Sequence, residues 1–137
     1  MSMPANQALD MYKQVGTHVG VATADPHRLI TLLYEGALER IAVAKGALQR
    51  GEIAFKGQKI GEAINILDGL LASLDQEKGG ELAQNLEELY LYMQRRLLEA
   101  NLNNDIVILD EVSALVESIK NAWAAISDQP RHSEDSL

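Results

Sequence analysis

The chain has no cysteine, three prolines and only six aromatic residues (one Trp, four Tyr, one Phe). The missing cysteines exclude disulfides, thiolate nucleophiles and thiolate metal ligands. With 47% of residues apolar but so few aromatic, any core must be built from Leu, Ala and Ile. That bias suits helix-on-helix packing better than a sheet. No stretch approaches the roughly 18 apolar residues of a membrane span, and no charged-then-apolar leader opens the chain. The expectation is a cytoplasmic protein without membrane insertion.

Positive charge is also scarce. Twelve basic against 20 acidic side chains leave a formal net charge of −8. Such a surface repels phosphate backbones, and Arg95–Arg96 is the one adjacent basic pair, so nucleic-acid binding is not expected. Three histidines, His18, His27 and His132, fall in a linker, a first helical turn and a tail. None suits the Glu-x-x-His pairs of a di-metal bundle or an exposed mid-helix phosphotransfer site. His27 reads as a helix-start residue with its ring near solvent. No P-loop, GxGxxG, HExxH or nucleophile motif occurs. No catalytic residue, cofactor or metal site is predicted, and the chain is not expected to be an enzyme.

What is present is helical periodicity. At 137 residues the chain is one domain, large enough to bury about two-thirds of its unfolded surface. Residues 1–24 read as a short helix with Ala8, Tyr12, Val15 and Val19 on one face, followed by a linker loosened by Gly16 and Gly20. This segment is too short to be stable alone and is a candidate lid. Asp25–Pro26 is a strong helix start, with Leu29, Leu33, Ala37, Ile41, Ala44 and Leu48 facing inward as far as about Arg50. A helix from about Glu52 to Leu74 carries Ile53, Gly57, Ile60, Ile64, Leu67 and Leu71 as a bundle seam; its Gly57-x-x-x-Gly61 reads as close approach of a neighbouring helix or as drift. Gly79 and Gly80 break the chain, and the next helix turns Leu82, Leu86, Leu89, Met93, Leu97 and Ala100 inward until Asn101, Asn103 and Asn104 close it. The last helix, about Asp105 to Ile126, turns Leu109, Val112, Val116, Ile119 and Trp123 inward. Residues 25–127 thus predict an antiparallel up-down four-helix bundle of all-α class, with helices about 30–37 Å long. Residues 128–137 predict a disordered polar tail.

Apolar residues remain after the core is assigned. Leu91, Leu98 and Leu102 stack about 140° from the centre of the inward arc of their helix. On the first long helix, Leu32, Gly36, Val43 and Ala47 lie to one side of the inward face. Contiguous exposed apolar stripes mark interaction sites, and a groove accepting an amphipathic helix is one reading. The others are packing against the N-terminal segment, a wider core, or a homodimer seam.

The segments YKQVGTHVGVATADPHRLITLLYEGAL, GGELAQNLEELYLYM and LLEANLNND, with Ala122–Trp123 near the end, together resemble the flagellar secretion chaperones of the FliS family. About 115 residues are covered in order. Asp25 departs from the Ser of many relatives, but both residues cap helices. The resemblance implies a cytosolic chaperone that binds the disordered C-terminal segment of flagellin, prevents its polymerisation and helps deliver it to the export gate, with no cofactor. It carries Tyr12 and Val15 onto the N-terminal element and Ala100–Asn101 with Asp105 onto the turn between the last two helices, and of these Tyr12, Val15 and Asn101 join the candidate partner-binding residues. Helical phase adds Leu32, Gly36, Val43, Leu91, Leu98 and Leu102. A homodimerising bundle that binds another amphipathic peptide, such as an anti-sigma factor, remains the alternative.

Overall fold

The computed structural model describes residues 25–126. The segments read as an N-terminal helix (1–24, with Tyr12 and Val15) and a polar tail (128–137) lie outside the described residues. Four helices account for nearly all of the described chain: α1 (Pro26–Gln49), α2 (Ile53–Ala72), α3 (Gln76–Asn103) and α4 (Ile106–Ile126). No strand occurs among the described residues. The all-α bundle expected from composition is what forms.

Each helix begins or ends where local chemistry demands it. Asp25 caps α1 by accepting the Arg28 amide at 2.7 Å, with Pro26 in the first turn. An acceptor there satisfies an amide that has no partner inside the helix. Gly51, at φ 79, turns the chain into α2. Asn104 adopts the left-handed conformation (φ 52, ψ 51) and its amide bonds Ala100 O, a common helix ending. Asp105 then caps α4, its carboxylate accepting Val107 N at 2.9 Å and Ile108 N at 3.3 Å.

One boundary differs from expectation. Gly80 is non-helical (φ 54, ψ −127), as a break requires, but a full turn precedes it. Asp75 accepts the Lys78 amide at 3.1 Å and starts α3 at Gln76, ahead of the glycines.

Connections of a few residues force successive helices to run antiparallel. Packing is cyclic: α1 meets α2 and α4, and α3 meets α2 and α4, so α1 and α3 lie across the diagonal. Each of the four seams carries at least one lateral polar tie. Arg40 Nε meets Glu62 at 2.8 Å between α1 and α2. Gln94 donates to Ile64 O at 3.0 Å and Asp68 at 2.8 Å between α2 and α3. Arg96 meets Glu111 at 2.9 Å between α3 and α4, and Lys45 meets Asp110 at 2.8 Å between α4 and α1. An exposed pair such as Lys45–Asp110 contributes roughly 0–1 kcal/mol, so its weight lies in choosing neighbours and register.

The core is aliphatic. Ile41, Ile60, Leu67, Met93, Leu97 and Leu109 are among its buried members. Of the residues assigned inward from periodicity, Ile53 and Leu82 are exposed. Ile53 sits at the first position of α2, beyond the reach of its neighbours, and Leu82 lies two residues past the break at Gly80. Inside the core, the Tyr34 and Tyr90 hydroxyls bond each other at 2.6 Å. Burial pushes both phenols above their ordinary pKa, so both stay neutral.

Candidate partner-binding surface

Helix α3 is, with α4, among the least covered of the helices. At about 100° per residue, its buried positions span an arc of about 100°, whereas those of α1 span about 200°. The reason is geometric: α1 and α2 form the most extensive helix–helix contact, and α3 has no such close partner. Its outward face therefore keeps Leu91, Leu98 and Leu102 at 41, 52 and 81% exposure. Their neighbour Leu97 is fully buried. The separation of core arc and surplus stripe on this helix is as helical phase predicts.

On α1 the same reasoning fails. Leu32 is 1% exposed and belongs to the core cluster. Gly36 and Ala47 are buried and Val43 is half-buried. The residues to one side of the inward face are swallowed by the wide buried arc of α1. They also lie on the helix diagonal to α3, so the two stripes form no common groove. Leu32 and Gly36 are therefore structural in this conformation, and the surface that remains is carried by α3.

Asn101 is drawn inward as well. Lys56, on α2, is 2% exposed, and its ammonium donates to Asn101 O at 2.9 Å and Asn101 Oδ1 at 2.6 Å. Among the described residues no carboxylate faces it. Its charge is held by the carbonyl end of α3, where the helix dipole favours a cation, and burial lowers its pKa. Gly57 completes the arrangement: a Cβ there would lie 3.5 Å from Asn101 Oδ1. The glycine thus faces the pinned asparagine, whereas Gly61 faces open space. The side-chain oxygen of Asn101 serves the fold before it serves a partner.

The opposite end of the bundle holds features that periodicity did not reveal. His27 and Trp123 stack with centroids 4.4 Å apart and planes 7° from parallel. His27 Nε2 donates to Trp123 O at 2.8 Å, and Trp123 Nε1 donates to His27 O at 3.0 Å. This reciprocal clamp joins the first turn of α1 to the last turns of α4. The His27 ring is thus half-buried against an indole, not near solvent as expected. Two apolar clefts of about 350 Å³ each flank the clamp, sharing Ile30, Ser73 and Trp123. Leu74, Leu82 and Leu86 extend the first, which explains where the exposed Leu82 is directed. Only the pattern of residues in space shows this; Trp123 reads as core from sequence.

The remaining polar side chains tie one helix to the next. Burial opposes ionisation of Glu62, but hydrogen bonds from Lys59, Gln58 and Arg40 outweigh it and hold its carboxyl below the usual range. Bonds from Tyr92 and Arg96 do the same for Glu111. Among the described residues no three His, Asp or Glu side chains are placed to hold a metal ion, and no helix is long and apolar enough to cross a membrane.

The family profile of the flagellar protein FliS matches residues 8–130. The chain belongs to the FliS family. It is 53% identical over 125 residues to the flagellar secretion chaperone FliSB of Pseudomonas aeruginosa, covering 91% of this chain and 99% of that one. It is 48% identical over 124 residues to the flagellar secretion chaperone FliS of Salmonella typhimurium, covering 90% and 92%. Against the Escherichia coli chaperone of the same name the identity is 42% over 122 residues, covering 88% and 90%. These relatives span essentially the whole bundle, so the exposed face of α3 and the clefts beside Trp123 belong to a FliS-type scaffold.

Proposed function

We propose that this chain is a cytoplasmic flagellar export chaperone that binds the disordered C-terminal segment of flagellin, keeps it from polymerising and assists its delivery to the export gate. The observation that carries the reading is the leucine stripe of α3 on a chain similar over nearly its full length to proteins named secretion chaperones. A disordered segment would fold as an amphipathic helix against such a stripe, its ordering entropy offset by apolar burial. No catalytic step, cofactor or nucleic acid enters the scheme. Tyr12 and Val15 are proposed as contributors from the N-terminal segment, with a lid role for residues 1–24.

The test is calorimetric titration of the full chain with flagellin and with flagellin lacking its C-terminal segment. Binding at 1:1 to the intact protein, little affected by salt because apolar contacts dominate, is expected to disappear on truncation. Helicity of the mixture should exceed the sum of the components. Equal binding of both flagellins overturns the proposal.

A further inference from the structure

The exposed face of α3 is more than three leucines. Gln84, Glu88, Leu91, Arg95, Leu98 and Leu102 follow one another at steps of four, three, four, three and four residues. That is the spacing of a helix–helix seam, and it runs along the outside of the bundle. All six residues are exposed. Inside this seam, between Leu91 and Leu98, stands a charge.

The two adjacent arginines differ in kind. Arg96 is committed internally, bonding Glu111 at 2.9 Å and Glu99 at 3.1 Å. Arg95 has no carboxylate partner among the described residues; its guanidinium lies over the Tyr92 ring, 5.8 Å from the centroid. Tyr92 is itself tied to Glu111, so the ring beneath Arg95 is held in place. Glu88, two seam positions earlier, likewise has no cationic partner among the described residues.

From this we infer that Arg95 is the specificity-determining residue of the seam: the occupant of the α3 face is an amphipathic helix of another protein that sets an acidic side chain against Arg95, flanked by apolar residues on Leu91 and Leu98. The inference deepens the proposed function and rests on it, since the occupant there is the flagellin segment. A single polar residue in an apolar seam fixes register and partner at some cost in affinity, and the flat guanidinium fork suits a carboxylate held in one orientation. A second copy of this chain fits less well. Parallel in-register pairing sets Arg95 against Arg95, and antiparallel interleaving of alternate seam positions sets it opposite Gln84, Leu91 or Leu98. Pairing centred on Leu91, or a parallel shift of seven residues, brings Glu88 against it, but a formal net charge of −8 on each copy opposes self-association. The balance of charge therefore favours a different chain, and light scattering tests the pairing that remains.

The experiment titrates the full chain with the flagellin C-terminal segment, using wild type, Arg95→Gln and Arg95→Glu. Each Asp and Glu of the segment is also reversed to Lys in turn. Because Arg95 is exposed, all variants should keep wild-type helicity and melting behaviour, which circular dichroism checks. Arg95→Glu is expected to weaken binding at least tenfold and Arg95→Gln by less, as truncating or reversing a charge that becomes desolvated at an interface does. One charge-reversed segment should restore Arg95→Glu to within about threefold of wild type while binding wild type more weakly; that rescue supports the inference. Binding of Arg95→Glu within twofold of wild type, or the absence of any rescuing reversal, overturns it and leaves the proposed function standing. A wild-type dimer in light scattering that Leu98→Asp disperses also overturns it, because the occupant is then a second copy. Failure of wild type to bind the segment removes both readings together.

Discussion

Leu97 and Leu98 are neighbours in sequence with opposite fates, and a single substitution at each separates core from docking surface. Leu97 is fully buried among the side chains that α3 turns inward, whereas Leu98 is 52% exposed. Replacing Leu97 by Asp removes a packed side chain, a loss of about 2–5 kcal/mol from transfer and cavity terms. It also buries a carboxylate that has no partner, which costs several kcal/mol more or forces protonation. Against a total stability of about 5–15 kcal/mol, the sum is enough to unfold the bundle. At Leu98 about half the side chain is already in water. Full burial of a leucine stabilises by about 1.5–3 kcal/mol, so Leu98→Asp should cost about 1 kcal/mol, a fall in Tm of about 4 °C. Its effect on binding should be larger, about 2 kcal/mol or more, as for an interface anchor, or roughly a 30-fold rise in Kd. Thermal melts followed by circular dichroism read the first difference, and calorimetric titration with the flagellin C-terminal segment reads the second. An unfolded Leu98→Asp variant would refute the surface assignment, and so would one that binds like wild type. A Leu97→Asp variant with an unchanged melt would refute the core.

The Tyr34–Tyr90 pair makes a closed double-mutant cycle: each single Tyr→Phe change strands a buried hydroxyl and should cost about 1–3 kcal/mol, whereas the double change should cost clearly less than the two added together, as denaturant melts can measure. The same pair sets the alkaline limb. Both phenols are raised by burial, so above a pH of about 10 the unfolded chain gives up protons that the folded one keeps, and stability falls. Lys56 works the other way, because burial lowers its pKa: the unfolded chain holds that proton longer, and its contribution to stability rises as pH climbs toward about 10.4. Stability measured from pH 8 to 11 should therefore fall less steeply in Tyr34→Phe/Tyr90→Phe and more steeply in Lys56→Met; the opposite ordering would contradict the burial of these groups.

Local chemistry alone determines a great deal in this chain. The Asp25–Pro26 start, the glycine turn at Gly51, the left-handed Asn104 followed by the Asp105 cap, and the inward phase of most long-helix positions all follow from rules that act within a few residues. So does the contrast between Leu97 and Leu98, because the outward stripe of α3 lies nearly opposite its core arc and no neighbour can reach it. Tertiary structure decides the rest, since periodicity fixes the angle between two residues on one helix but not how far the neighbouring helices wrap around it. Helix α1 is wrapped over about 200° of its surface, which turns Leu32 and Gly36 from surplus into packing. The His27–Trp123 clamp and the Tyr34–Tyr90 bond join residues 96 and 56 positions apart. Lys56 and Asn101, which pin the far end, are 45 apart. No local pattern encodes these pairings, because each partner's side chain acquires its meaning only when another helix arrives beside it. The clefts flanking Trp123 belong to the same class: they are the space left where four helix ends with short connections meet, a property of the assembled bundle rather than of any one segment.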